Sequence, residues 1–334
     1  MLFMAGFELK EGQFDKRTVS EDELWSVFSC VFSSRSRNDS SYKFGFLKSI
    51  IDNLYNVDEN LKLTFDQLFS KFAEIYWNLI LKYGIRQKAV TNDNKETYLE
   101  QILHEAVSNY RIAEEVPYES LTNEIMIDIS HKVKIKCKTY VVGALYGDTN
   151  RLFYSFSKKE EWIQINPQMY EFLCKRKSVI EKLNYYEWAR FLEKVNEDPI
   201  LIHLLDKIDK SSKRNNLSVY RLILFEEFES SKCFYCGKKI NINKSEVDHF
   251  VPWSFIKDDN LWNLVLACPE CNRSKGDKLP DLVYLDTLIE RNNNLLIKTD
   301  MNNYKSSKLQ YVYNWAKMNG YNSIWSPQKT KIPL

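Results

Sequence analysis

The chain reads as an α+β protein, mainly helical at first, with a small antiparallel sheet in the middle and a cysteine-stapled C-terminal segment closed by helices. Three observations carry that reading. Apolar and aromatic residues recur at helical spacing up to residue 125. The period shifts to alternation from His131 to Tyr140, with further short strands to about 166. Two Cys-x-x-Cys pairs, Cys233/Cys236 and Cys268/Cys271, then enclose a histidine, a carboxylate and two carboxamides.

Composition bounds these elements. At 334 residues, 44% hydrophobic, the chain has apolar material for two or three cores. Only 9 glycines and 8 prolines exclude collagen-like or low-complexity architecture. A formal charge of +2 carries no global nucleic-acid signature, so any such surface must be local. No apolar run is long enough to span a membrane. The apolar start, Met1 to Phe7, meets Glu8, Lys10 and Glu11 too soon for a signal-peptide core, so a cytoplasmic location is expected.

Tyr42 to Tyr55 places Phe44, Leu47, Ile51 and Leu54 on one helical face. Phe65 to Leu81 repeats the pattern, with Thr64 as N-cap, and a third helix is predicted over Glu96 to Glu114. From His131 to Tyr140, Val133, Ile135 and Cys137 alternate with Lys132, Lys134, Lys136 and Lys138, which predicts a strand. Its lysine row is either a solvated edge or a track for a phosphate backbone. Val141 to Tyr146, Arg151 to Phe156 and Trp162 to Ile165 are predicted as further strands, with Gly147 to Asn150 as a turn. Helices resume at Gln168 to Cys174 and Tyr185 to Val195. The polar run from Asp206 is the predicted linker, and Lys207 to Arg214 a second basic candidate surface. A short helix over Val219 to Phe228 and closing helices over Asp281 to Arg291 and Lys308 to Met318 complete the pattern. The domain reading is 1–205 as a recognition or regulatory region with its sheet near 131–166, 206–217 as linker, and 218–334 as the functional domain.

Two Cys-x-x-Cys pairs 31 residues apart are the spacing of a tetrahedral zinc site. Four thiolates leave no open position for water, so such a zinc is structural and stabilises a segment too small for its own core. Cys30, Cys137 and Cys174 are read as buried small apolar residues. Between the pairs, Asp248 precedes His249, Asn263 lies 14 residues beyond the histidine and Asn272 lies 23 beyond. A strand, loop and helix could bring all four together, with Asp248 and His249 on the strand and Asn272 near the start of the helix.

At these residues the sequence resembles the HNH, or ββα-metal, endonuclease family. The matching positions are the Asp248-His249 pair, Asn263 within Asn260-Leu-Trp-Asn263, and Asn272-Arg-Ser-Lys275-Gly. Val247 to Asp259 is similar to the HNH module of RNA-guided CRISPR nucleases. The four-cysteine staple is instead shared with Mcr-type restriction and other zinc-containing HNH proteins. More loosely, the whole chain is similar to bacterial proteins with a C-terminal HNH module. A second nuclease motif of the DxG type is not evident in the chain. The resemblance implies His249 as general base, Asp248 and Asn272 as oxygen ligands to Mg²⁺ or Mn²⁺, and Asn263 as the residue that orients His249. It also implies Arg273 and Lys275 as phosphate contacts, with Lys275 counted beside His249 and Asn263 among the catalytic residues. The third signature position is Asn272, where the family often has histidine, and that bears on metal preference. From Lys232 to Pro280 seven Lys and one Arg face six acids, a local balance of +2. The implied activity is metal-dependent hydrolysis of DNA phosphodiester bonds, leaving 5′-phosphate and 3′-hydroxyl ends, in restriction or anti-phage defence. A second copy of the chain or a defence-system protein is the expected partner. The alternatives are a zinc-ribbon nucleic-acid-binding module without cleavage, and an RNase or toxin using the same site.

Overall fold

The computed structural model describes residues 8–33, 36, 38–89, 96–212, 216–227, 231–295 and 304–327. The chain divides into two units, Met1–Lys213 and Arg214–Leu334. In chain order the first unit holds β1 (Glu11–Gly12), α1 (Glu21–Val31), α2 (Tyr42–Asp52), β2 (Lys62–Thr64), α3 (Phe65–Trp77), α4 (Tyr98–Tyr110), α5 (Asn123–Asp148), β3 (Tyr154–Ser157), β4 (Trp162–Ile165), α6 (Pro167–Glu193) and α7 (Leu204–Asp209).

Its core follows from the aromatic stripes. Thr64 caps α3 by accepting from the Gln67 amide, and the Gln67 side chain returns a bond to the Thr64 amide. The helix then buries Phe65, Leu68, Phe69, Phe72 and Tyr76. Phe69 meets Phe46 of α2 at 5.7 Å between ring centroids, and Tyr76 meets Trp188 of α6 at 5.7 Å. The two helices predicted around Gln168 and Tyr185 are one continuous α6. Asn166 caps it by accepting from the Gln168 amide, and Pro167 sits at the first helical position, where no backbone donor is needed.

The middle of the chain corrects the strand reading. His131 to Tyr146 lies inside α5, a single helix of 26 residues capped by Thr122. Ile129, Val133, Cys137, Val141 and Leu145 form its buried stripe, whereas Ile135 is 49% exposed. Residues four apart satisfy both a period of 2 and a period of 3.6, so Val133 and Cys137 could not separate the two patterns. The lysines are consequently distributed around the helix instead of along one face. Lys134 is buried on Asp66 and Glu161 at 2.7 and 2.6 Å, Lys138 binds Glu161, and Lys132 binds Asp128. They form no row aimed at a phosphate backbone. The sheet has four strands in the order β1-β3-β4-β2, all antiparallel, with the β3–β4 hairpin after α5 at its centre and β1 and β2 from earlier in the chain at its edges.

The predicted linker begins inside α7. Ser211 and Ser212 beyond it are buried, with Asn78 donating to the Ser211 carbonyl and Ser212 donating to Asp52. Lys207 of the second basic candidate donates to the Ile200 carbonyl at 2.7 Å, and Arg214 lies outside the described residues.

The second unit holds α8 (Ser218–Glu227), β5 (Glu246–His249), α9 (Trp253–Ile256), β6 (Leu264–Ala267), α10 (Pro269–Lys275), β7 (Leu279–Pro280), α11 (Leu282–Leu295), α12 (Ser306–Met318) and β8 (Ile324–Trp325). Strands β5 and β6 pair antiparallel with Asp248 opposite Val265 and His249 opposite Leu264. A small cluster of Leu224, Leu264 and Leu266, with Tyr220, Ile240 and Val247 against it, joins α8 to this hairpin. Helix α10 follows β6 directly, which completes a β-β-α order.

Candidate active site

The four cysteines converge. Their sulfurs all lie within 4.8 Å of one another, with Cys236 and Cys268 3.9 Å apart. A tetrahedral ion with zinc–sulfur bonds of about 2.3 Å separates its ligands by about 3.8 Å, so the donor set and spacing fit such an ion. Two local features build the first knuckle. The Gly237 amide bonds back to the Cys233 carbonyl at 2.9 Å with φ at +71°, a conformation glycine adopts without strain. The Phe234 amide donates to the Leu266 carbonyl at 2.9 Å, which hangs the knuckle on β6. Burial and the neighbouring sulfurs push the Cys271 thiol well up, as expected for thiolates that need a cation beside them.

Asp248, His249, Asn272 and Arg273 line one cleft of about 280 Å³. Asp248 and His249, the last two residues of β5, are both buried, and α10 supplies Asn272 to the same cleft. Three residues to which the sequence reading gave no role hold these groups in position. Tyr235, inside the first knuckle, donates its hydroxyl to Asp248 Oδ2 at 2.5 Å. Burial raises the Tyr235 phenol well above its ordinary value, and the Asp248 charge adds to that, so it stays a donor. Asp259 lies 2.7 Å from His249 Nε2. An ionised carboxylate only accepts, so Nε2 donates to it, and in a neutral ring Nδ1 is then the acceptor. Glu246 Oε2 accepts from Asn272 Nδ2 at 2.7 Å. That contact fixes which end of the carboxamide is nitrogen and leaves Oδ1 as the opposite, acceptor end.

Asn263 is fully buried behind the cleft. Its side chain accepts from the Val251 amide at 2.8 Å and donates to the Val251 carbonyl at 2.9 Å, while its own carbonyl accepts from Phe250. These contacts fix the backbone that leaves His249. Arg291 of α11 in turn donates to the Leu264 and Leu261 carbonyls, and Asn292 to the Trp262 carbonyl, so a closing helix pins the turn that carries Asn263.

Lys275 departs from the expected phosphate contact. Only 1% exposed, it donates to Asp248 Oδ1 at 3.1 Å and to the His249 carbonyl at 2.7 Å. Residues at the last turn of a short helix face either out or back onto the sheet, and here the side chain lies under β5. It balances the buried Asp248 charge instead of reaching solvent. Arg273 is exposed on the cleft rim, with its Nε donating to the Pro269 carbonyl. Tyr235 bonds Oδ2 of Asp248, and Lys275 lies 3.1 Å from both carboxylate oxygens. A carboxylate has about four lone-pair sites, so acceptor capacity remains for a cation. With Asn272 Oδ1 this makes two hard oxygen donors on one cleft, a set that suits Mg²⁺ or Mn²⁺ retaining water and substrate oxygens.

Residues 233–281 match the family model described as HNH endonuclease. These residues form an HNH-family segment. It is similar to three CRISPR-associated endonucleases. The Cas9 of Listeria innocua is 39% identical over 77 residues, 22% of this chain and 5% of that protein. The Cas9 of Corynebacterium diphtheriae is 33% identical over 73 residues, 22% of this chain and 7% of that protein. Cas9 1 of Streptococcus thermophilus is 39% identical over 59 residues, 16% of this chain and 5% of that protein. The chain thus spans a small fraction of the length of the relatives it matches, and the first unit lies outside the HNH match. No solved structure matches. The HNH segment supports nuclease chemistry on a nucleic-acid substrate, with metal dependence. Among the described residues no helix is long and apolar enough to cross a membrane.

Proposed function

We propose that this protein is a metal-dependent endonuclease that hydrolyses DNA phosphodiester bonds, leaving 5′-phosphate and 3′-hydroxyl ends. The observation that carries the reading is the cleft itself. His249, with Nε2 tied to Asp259, shares it with the oxygen donors Asp248 and Asn272. His249 Nδ1 takes a proton from a water, whose oxygen bonds to phosphorus as the bond to the 3′-oxygen breaks. A cation held by Asp248 and Asn272, Mg²⁺ or Mn²⁺, supplies charge stabilisation for the phosphate and the leaving oxygen. Tyr235 and Lys275 hold the Asp248 carboxylate, Glu246 orients Asn272, and Asn263 fixes the backbone after His249. Arg273, exposed on the rim, contacts substrate phosphate. Zinc at the four cysteines holds the module together and takes no part in the chemistry.

A role in restriction or anti-phage defence, in the cytoplasm, belongs to the same proposal. Its support is that the similar proteins are CRISPR-associated endonucleases. In this reading the first unit supplies target recognition or regulation, and a second copy of the chain or a defence-system protein completes a double-strand cut.

The test is incubation of purified protein with plasmid, single-stranded DNA and structured RNA, in Mg²⁺, Mn²⁺ or EDTA. Plasmid nicking in the two metals, abolished by EDTA, is the expected result. His249→Ala should lower the cleavage rate by about 10²- to 10⁴-fold while retaining DNA binding. A wild-type protein that binds but never cuts points to the zinc-ribbon binding module, and cleavage confined to RNA points to the RNase.

A further inference from the structure

A second concavity adjoins the catalytic cleft. Along β5 the cleft takes Val247 to His249 and the neighbouring groove begins at Glu246. Along α10 the cleft takes Asn272 and Arg273, and the groove takes Pro269 and Glu270. This groove, about 500 Å³, is lined by Arg221 of α8 and by Lys238, Lys239 and Lys244 from the chain between the first knuckle and β5. The three lysines are exposed, and Arg221 is half-buried. Two carboxylates, Glu246 and Glu270, stand against these four cations. Glu246 is already engaged by Asn272. The Arg221 Nε is buried without a hydrogen-bond partner among the described residues, although an unmet guanidinium donor is costly. Its natural complement is an anionic oxygen entering from the groove.

We propose that this groove holds the phosphodiester backbone flanking the scissile phosphate, with Arg221 and the three lysines as its phosphate contacts. The inference rests on the endonuclease reading and extends it, because it gives the substrate strand a direction. The strand leaves the cleft over the Glu246–Asn272 hydrogen bond and continues along the face that carries the first cysteine knuckle. The net charge of the module is too small for tight binding alone, so a local excess beside the cleft is where electrostatic affinity has to come from. Arginine adds geometric selectivity, since its planar fork matches a phosphate where an ammonium acts as a point charge.

The experiment is fluorescence anisotropy with a labelled DNA duplex, in Ca²⁺ to hold off turnover, over a range of salt. It compares wild type, the combined Lys238→Gln/Lys239→Gln/Lys244→Gln variant, and a control that removes three exposed lysines of the first unit, Lys175→Gln/Lys182→Gln/Lys194→Gln. Each lost phosphate contact removes about 0.9 from the slope of log K against log salt. The groove variant should therefore show a slope shallower by about 2 to 3 and affinity lower on the order of 100-fold at 0.1 M salt. Retained metal content and melting temperature confirm an intact fold. An unchanged slope, or an equal fall in the control, overturns the groove. Failure of wild-type protein to nick plasmid in Mg²⁺ or Mn²⁺ overturns the endonuclease reading instead, and the turnover-free slopes decide the groove independently.

Discussion

The first unit and the HNH segment are stabilised in opposite ways. The first unit buries Trp77, Trp188, Tyr55, Tyr76, Tyr154 and a file of phenylalanines to less than 2% exposure, and those rings interlock across α2, α3 and α6. It needs no metal to account for its order. The HNH segment buries Phe250, Val251, Phe255, Ile256 and Trp262 beside a small leucine cluster, and adds four convergent sulfurs. A short segment exposes too much of its surface to fold on apolar burial alone, so a cross-link supplies the remainder. The difference teaches where each unit is vulnerable. The larger one fails through cavities, the smaller one through its metal.

The largest expected effect is therefore loss of the metal. Elemental analysis should find one zinc per chain, and its removal by a strong chelator or by Cys268→Ser should unfold the HNH segment. Binding energies of about 10 to 16 kcal/mol for structural zinc are as large as the net stability of a whole domain, about 5 to 15 kcal/mol. Hydrogen exchange should collapse to unprotected values over 233–281 while α2, α3 and α6 keep their protection. Equal loss of protection in both units would break the comparison. In the other direction, Phe72→Ala removes a ring packed against Tyr42, Phe69 and Tyr76. It should destabilise the first unit by about 3 to 5 kcal/mol in denaturant titration and leave the zinc content unchanged.

A finer test separates the cysteine cluster from the proposed cation site inside the smaller unit. Tyr235 belongs to the knuckle yet bonds Asp248, and it packs against Tyr284 and Trp325 at 5.5 and 5.0 Å. Tyr235→Phe keeps the ring and removes the donor. Losing a hydrogen bond that orients a metal ligand costs about 10- to 100-fold in metal affinity. Weaker Mn²⁺ binding by electron paramagnetic resonance, with zinc retained, is the expected outcome. Undiminished Mn²⁺ affinity would show that the staple and the cleft are independent.

Much of the site could be read from spacing. Cys233, Cys236, Cys268 and Cys271 announce themselves because a Cys-x-x-Cys turn brings its two thiols together whatever surrounds it. Asp248 and His249 adjoin one another, and Asn263 and Asn272 follow at distances that one hairpin and one helix close. Tyr235, Glu246 and Asp259 left no such trace. Each acts on a partner 10 to 26 residues away through a single side-chain bond, and a tyrosine, a glutamate and an aspartate in those runs look like any others. Asp259 had the best available signal, as a second carboxylate within the same short stretch as His249. Lys275 was expected at phosphate and is instead buried on Asp248, because position on a helix does not state whether a lysine faces solvent or a buried carboxylate.

The helix α5 shows the same limit for the fold. Its lysines and β-branched residues alternate, and only the packing of Val133, Cys137 and Val141 against the first unit's core selected the helical period over the extended one. Local chemistry was enough to place four sulfurs, a histidine and its neighbouring carboxylate, since covalent spacing restricts where those atoms can go. Which group engages the Asp248 carboxylate, which imidazole nitrogen meets Asp259 and which lysine is buried were decided by contacts between distant segments. Those contacts exist only once β5, β6 and α10 have packed, because hydrogen bonds and burial depend on what the folded chain brings alongside.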